Sequence, residues 1–124
     1  FARYLDAVDC FYTDQETDLE MVDHFSEEEL EIIGLLEHQR WLQEHYDMGW
    51  IYGTPERARR ELDRLHPDMI PGFDPAQGLV TQDRAQANYL RLSRDEQEKD
   101  TAPMECMLAT LRMFDGLRIY RLKS

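Results

Sequence analysis

The sequence has few of the residues that cross-link small secreted domains or bind metal ions. Only two cysteines, Cys10 and Cys106, occur among its 124 residues, so it offers neither a disulfide framework nor the Cys/His spacing of a zinc site. No apolar run approaches the roughly 18 residues of a membrane span, and no segment has the charged, apolar and small-residue regions of a signal peptide. These absences predict a cytoplasmic protein without a membrane segment, a bound metal or a cofactor.

Basic residues are also scarce, with 14 Lys and Arg against 26 Asp and Glu and a net charge of −12 at pH 7. A field of that sign repels the phosphates of duplex nucleic acid, so a duplex is not an expected partner. The acids are concentrated in residues 1–31, which hold eleven of them and a single base, Arg3. Since 42% of the residues are hydrophobic, the chain can bury the core of a single domain.

Sequence motifs of catalysis are absent as well. The chain has no Gly-x-Ser-x-Gly elbow, no phosphate-binding Gly-rich loop, no Cys/His pair at an informative spacing and no His-Glu-x-x-His motif. His38 and His45 fall on one helical face, but seven residues separate them by roughly 10 Å, too far for one metal ion. We therefore expect no enzyme, and an unrecognised hydrolase or transferase is the least favoured hypothesis.

Apolar periodicity and capping signals predict a mostly α fold. A first helix is expected to end near Thr13, with an apolar stripe formed by Phe1, Tyr4, Leu5, Val8, Phe11 and Tyr12. A capping box at Ser26 and Glu29 predicts the start of a central helix that runs to about Tyr46 and is apolar on several sides. Gly49 is expected to end that helix in a left-handed conformation.

The second half of the chain is predicted to hold three shorter helices. The first begins at Thr54-Pro55 and stops before Pro67, after which the Pro/Gly-rich residues 67–79 form an irregular connection. The second is a short helix that begins at Ser93 and crosses Lys99.

The third of these helices opens near Pro103 and ends at Asp115-Gly116, with its apolar stripe on one side. In the tail, residues 117–120, apolar and polar residues alternate only briefly, which predicts at most one strand. The whole chain is expected to contain at most one or two short strands.

Four blocks of the sequence resemble the ryanodine-receptor repeat (RyR) domain family, including its stand-alone prokaryotic members. The blocks are Glu37-His38-Gln39-Arg40-Trp41, Gly49-Trp50-Ile51-Tyr52-Gly53, His66-Pro67-Asp68-Met69-Ile70-Pro71 and Leu92 to Asp100 with its Glu98-Lys99-Asp100. The closing Gly116-Leu117-Arg118-Ile119 is also similar to the end of the family pattern. The resemblance covers residues 30–122 and implies a compact RyR-like helical domain. Residues 1–29 lie outside it, as an acidic arm or the end of an upstream domain.

The sequence departs from the family pattern in two places. Gly72 stands where the family has an aromatic residue, and the nearest equivalent is Tyr89 followed by Leu92, which predicts an insertion over residues 72–88. The Arg-Asp pair that commonly follows the family's Tyr-Gly turn is also absent, and residues 54–57 stand there instead.

The aromatic residues of the first two blocks are candidate ligand contacts. Trp41, Trp50 and Tyr52 either line a pocket that stacks a planar ligand or pack in the core with their polar atoms satisfied. His66 either contacts a ligand or hydrogen-bonds the end of the preceding helix.

Two arginine positions complete the candidate site. Arg40 either binds an anion or forms an intrahelical ion-pair triplet with Glu37 and Glu44. Arg57 leads a basic cluster that includes Arg59, Arg60 and Arg64. That cluster either binds a small phosphorylated ligand or is a solvated face paired with nearby acids.

The resemblance implies a regulatory or signalling module. The leading hypothesis is a non-enzymatic RyR-type sensor that binds a small anionic, nucleotide-derived ligand and passes its occupancy to a linked domain. The alternative is a protein-interaction or scaffolding module, in which the aromatic stripe of the first helix docks on a second copy to form a homodimer, or on a neighbouring domain.

Overall fold

The computed structural model describes residues 2–15, 17–61, 63–111, 113 and 118–122. Within these ranges the chain is mostly α, as predicted, but it has four short strands where at most two were expected. The helices are α1 (Ala2–Ala7), α2 (Glu27–Asp47), α3 (Pro55–Arg60), α4 (Gln82–Arg91) and α5 (Arg94–Thr110). The strands are β1 (Cys10–Thr13), β2 (Ile51–Tyr52), β3 (Leu65–His66) and β4 (Arg118–Arg121). Among the described helices, none has the length and apolar composition that crossing a membrane requires.

The chain divides into two compact units. The terminal unit comprises Phe1–Gly34 and Glu98–Ser124, and the central unit comprises Leu35–Gln97. Both α2 and α5 contribute residues to each unit. The candidate ligand residues of the sequence all lie in the central unit.

The terminal unit is built on an antiparallel pair of strands. β1 pairs with β4, and Cys10 stands opposite Arg121 at one end of the register. The first helix therefore ends at Ala7 rather than near Thr13, because Asp9 adopts a left-handed conformation (φ 55°) and turns the chain into β1. Tyr4, Leu5 and Val8 of the predicted stripe are buried within the chain; Phe1 lies outside the described residues.

An ion pair between Glu29 and Arg121 holds this unit together. Arg121 donates from Nη2 to Glu29 Oε1 at 2.7 Å and from Nε to Glu29 Oε2 at 3.0 Å. This fork lowers the pKa of Glu29 below its ordinary value. Burial beside Glu29 raises the pKa of the Cys10 thiol to about 11. Cys10 is therefore a protonated, buried core side chain.

Both predicted ends of α2 are confirmed. The Ser26 Oγ accepts from the Glu29 N–H at 3.1 Å, and Glu29 Oε1 accepts from the Ser26 N–H at 2.8 Å, which completes the capping box. Gly49 follows the helix with φ 91°, a conformation that L side chains rarely adopt. The chain then turns directly into β2.

The predicted cap of α3 is confirmed, and a parallel strand pair flanks the helix. Thr54 Oγ1 accepts from the Arg57 N–H at 3.3 Å, and Pro55 begins the helix. β2 and β3 are parallel, with Ile51 beside Leu65 and Tyr52 beside His66. The strands precede and follow α3 and bring two of the family-like blocks next to each other.

Two helices differ from the sequence prediction. α4, which was not predicted, is capped by Thr81, whose hydroxyl accepts from the Arg84 N–H at 3.2 Å. α5 is one helix rather than two, and Pro103 lies inside it. Proline removes one intrahelical hydrogen bond, but the buried Met104 and Leu108 keep the following turns packed. The predicted end at Asp115-Gly116 lies outside the described residues.

The irregular connection over residues 67–79 is confirmed and contains one 3-10 turn, Pro75–Gln77. Two glutamines of α2 fix the residue that follows it. Gln43 Oε1 accepts from the Val80 N–H at 2.8 Å, and Gln39 Nε2 donates to the Val80 carbonyl at 3.1 Å. The core beneath the connection consists of the buried Leu42, Tyr46, Met69, Val80 and Ala85.

Candidate ligand site

The two tryptophans lie close together around two histidines. The Trp41 and His45 ring centroids are 4.0 Å apart, and those of His45 and Trp50 are 5.9 Å apart. His66 of β3 closes the group, at 5.0 Å from Trp41 and 6.4 Å from Trp50. Together with His38, which stacks on Trp41 at 5.7 Å, these rings form the aromatic–imidazole cluster.

The two indoles have different surroundings. Trp41 is flanked by three imidazoles and packs against the core, which favours its structural interpretation. Trp50 meets its neighbouring imidazoles edge-on and is half-buried. Its indole N–H has no hydrogen-bond partner among the described residues, where no side-chain nitrogen or oxygen is both buried and unpartnered.

The hydrogen bonds of His45 and His66 show that these two rings carry the imidazole proton on different nitrogens. His45 Nδ1 lies 2.8 Å from the Trp41 carbonyl, which can only accept, so Nδ1 carries the proton. His66 Nδ1 accepts from the Asp68 N–H at 3.0 Å, so the proton of the neutral His66 ring is on Nε2. His66 thereby orders the loop that follows β3.

The sequence prediction missed Arg91, the last residue of α4. Its guanidinium carbon lies 5.8 Å from the centroid of the Tyr52 ring, within cation–π range. Nη2 donates to the carbonyls of Pro67 at 3.0 Å and Met69 at 3.1 Å. Arg91 carried no sequence signal because neither its ring partner nor its carbonyl partners are close to it in the chain.

Asn88, one turn earlier in α4, fixes Arg91 from the other side. Its Oδ1 accepts from Arg91 Nε at 3.1 Å and Nη2 at 3.0 Å. Its Nδ2 donates to His38 Nε2 at 2.8 Å and to the Asp68 carbonyl at 2.6 Å. Asn88 and His38 are only 4% and 2% exposed. Both the oxygen and the nitrogen of the Asn88 amide therefore form hydrogen bonds. Because Asn88 Nδ2 can only donate, His38 Nε2 is the nitrogen that accepts.

Arg40 is engaged by carboxylates. It donates from Nε to Glu37 Oε2 at 2.9 Å and from Nη2 to Glu37 Oε1 at 2.5 Å, and its Nη1 donates to Glu44. These hydrogen bonds, led by those to Glu37, raise the pKa of the guanidinium above its ordinary value. The interpretation of Arg40 as an ion-pair triplet is confirmed.

The basic cluster of α3 also has internal partners. Arg57 pairs with Glu61 at 3.2 Å in an exposed position. Arg64 donates from Nη1 to the Met48 carbonyl at the end of α2. The structure does not place Arg40 or Arg57 in the aromatic–imidazole cluster. Within the described part of the chain, no three His, Cys, Asp or Glu side chains converge as metal ligands.

Comparisons with models of protein families, with curated proteins and with solved structures find no match to this chain.

Proposed function

We propose that the central unit is a non-enzymatic, cytoplasmic sensor module of the RyR type that binds a small anionic ligand derived from a nucleotide. The ligand lies against Trp50 and Tyr52 with its anionic group on Arg91, and its occupancy is passed to a linked domain. One observation carries the proposal: the Arg91 guanidinium is fixed over Tyr52 by uncharged partners.

The charge of Arg91 is not neutralised within the described residues. Its Nε and Nη2 donors bind an amide oxygen and two carbonyls, and no described carboxylate lies within ion-pair distance. Nη1 has no hydrogen-bond partner among these residues. Nη1 therefore keeps its donors for an oxygen of a carboxylate or phosphate, and the positive charge attracts the anion.

The rings beside Arg91 supply a surface for a planar group. Tyr52 belongs to β2 and carries Arg91 over its ring, and Trp50 immediately precedes the strand. Both are half-buried, so part of each ring stays exposed. Stacking of a base on such a ring contributes about 1–3 kcal/mol in nucleic-acid complexes. An aromatic base joined to a phosphate can stack on the rings and bind the arginine at the same time.

The remaining candidate residues have supporting roles in this proposal. His66 contacts the Trp50 ring, and Trp41 contacts His66 in turn. Arg40 and Arg57 keep their glutamate partners and are assigned no ligand contact.

Titration calorimetry with adenosine, AMP, ADP and ATP tests the proposal. We expect heat of binding from the phosphorylated compounds and a much weaker response to adenosine, because Arg91 recognises the anionic group. Trp50→Ala should abolish binding while the far-ultraviolet circular dichroism stays that of a folded chain. Arg59→Gln, which removes an exposed charge of α3, is the control and should bind normally. Absence of binding across the panel, or equal binding by the Trp50 variant, would refute the proposal.

The interaction-module alternative is not proposed, because three of the six residues of its expected docking stripe are buried, although Tyr12 is 48% exposed. Tyr4, Leu5 and Val8 of the first helix are 8%, 1% and 8% exposed, which buries them inside the chain itself.

A further inference from the structure

We infer that the ligand site continues along α4 to Arg84 and that it takes an organic ligand with two separated anionic groups, because the backbones of Arg84 and Arg91 lie about 10 Å apart along the helix axis. The inference rests on the proposed function, since Arg91 is one of its two anion contacts. The second contact is the guanidinium of Arg84 over the ring of Phe73.

The two arginines occupy the same edge of α4. They are seven residues apart, which is close to two helical turns. Ala85, Asn88 and Tyr89 are the buried residues of this helix, and both arginines lie beside that buried face. Ala87, which lies between them along the helix, is exposed and has a small side chain.

Each arginine is paired with an aromatic ring, Phe73 of the connection for Arg84 and Tyr52 of β2 for Arg91. Arg84 Cζ lies 5.5 Å from the Phe73 centroid, and Arg91 Cζ lies 5.8 Å from the Tyr52 centroid. Phe73 is itself held by Tyr46, at 4.6 Å between ring centroids. The Arg84–Phe73 pair borders a groove of about 250 Å³ that is also lined by Gly72, Gln77 and Thr81. A second anion contact is therefore set beside a cavity.

Arg84 and Arg91 differ from the three arginines that form ion pairs with glutamates. Arg40, Arg57 and Arg121 each bind at least one glutamate. Arg84 and Arg91 have no carboxylate within ion-pair distance among the described residues. Asp74, which lines the groove, uses Oδ1 to accept from the Ala76 N–H. Two unneutralised guanidinium groups along one helix edge fit a ligand with an anionic group at each end.

The spacing defines the class of ligand. A single phosphate contacts one arginine only, whereas a compound that carries a phosphate at each end of an extended organic skeleton has two anionic groups that can reach both. When both contacts form on one molecule, the second is intramolecular and adds affinity without a new surface. Ligands whose anionic groups are closer together gain nothing from Arg84.

Calorimetry with propane-1,3-diol bisphosphate and hexane-1,6-diol bisphosphate separates spacing from total charge, because the two compounds differ only in length. We expect the longer compound to bind at least about tenfold more tightly. Arg84→Gln should remove this preference and leave binding of AMP unchanged. Arg59→Gln, which removes the same charge from α3, should preserve the preference.

The outcomes distinguish the inference from the proposed function. Equal affinity for the two bisphosphates, or an unchanged preference in Arg84→Gln, overturns the inference while binding of AMP upholds the proposed function. Absence of binding by AMP and both bisphosphates overturns both. A lost preference in Arg59→Gln as well as Arg84→Gln also overturns the inference, since net charge rather than position would then be responsible.

Discussion

Removal of the Asn88 amide is expected to be the most damaging single polar substitution in the central unit. The amide donates to His38 Nε2 at 2.8 Å and to the Asp68 carbonyl at 2.6 Å, and it accepts from Arg91. Asn88→Ala deletes all of these bonds at once. Because Asn88 is 4% exposed and His38 is 2% exposed, water does not reach these atoms in the native packing.

The expected loss of stability follows from the groups left behind. His38 Nε2 and the Asp68 carbonyl each lose a donor, and an unsatisfied buried polar group costs roughly 1–3 kcal/mol. Arg91 is exposed and can bind water instead. Partial entry of water into the space left by the amide offsets some of the loss, so we expect Asn88→Ala to lower the free energy of unfolding by about 3 kcal/mol.

Urea denaturation followed by circular dichroism and tryptophan fluorescence measures this change, with equal m-values required for the comparison. Gln39→Ala is the matched control. Gln39 is part-buried and makes one hydrogen bond to Val80, so its loss should be about 1 kcal/mol. If Asn88→Ala is no more destabilising than this control, the amide is not the buried link between His38 and Arg91.

Three further predictions concern other parts of the chain. Arg121 lowers the pKa of Glu29 from 4.5, so this pair stabilises the fold above that pH and the stabilisation is lost as pH falls through the lower folded pKa. Glu29→Gln should therefore lower the melting temperature at neutral pH. As the pH is lowered, the melting temperature of the variant should fall less than that of the native protein. An equal fall in both proteins would contradict this. A thiol reagent should label Cys106 in the native protein, whereas Cys10, buried and with its pKa raised to about 11, should react only in urea. Gly53→Ala places a Cβ 2.7 Å from the buried leucine of β3, and thermal melts should show a loss of about 1–3 kcal/mol.

The features that could be predicted from the sequence depend on neighbouring residues. Ser26 and Glu29 define the start of α2 because their reciprocal hydrogen bonds form within one turn. Gly49 and Thr54 mark helix ends for the same reason. The Arg40 triplet with its glutamates is a contact along one helix. The end of α2 and the turn that contains Trp50 could therefore be predicted from the sequence, without knowledge of the residues that pack around them.

The features that could not be predicted depend on residues far apart in the chain. β1 forms because it pairs with β4, where Cys10 lies opposite Arg121. No residue near Cys10 in the sequence indicates this partner strand. Likewise, α5 continues through Pro103 because its later turns are packed. The role of Arg91 depends on Tyr52, 39 positions earlier. Propensity and spacing indicate local structure, whereas these partners are fixed only when the chain folds.

Nuclear magnetic resonance of the tryptophan indole groups tests the binding site most directly, because the chain has only two tryptophans and gives two indole N–H signals. In a titration with AMP, the account predicts a large, saturable shift of the Trp50 signal and of the Arg91 Nε–H signal, with a smaller shift of the Trp41 signal. Unchanged Trp50 and Arg91 signals at saturating AMP, or shifts confined to residues of the terminal unit, would contradict it.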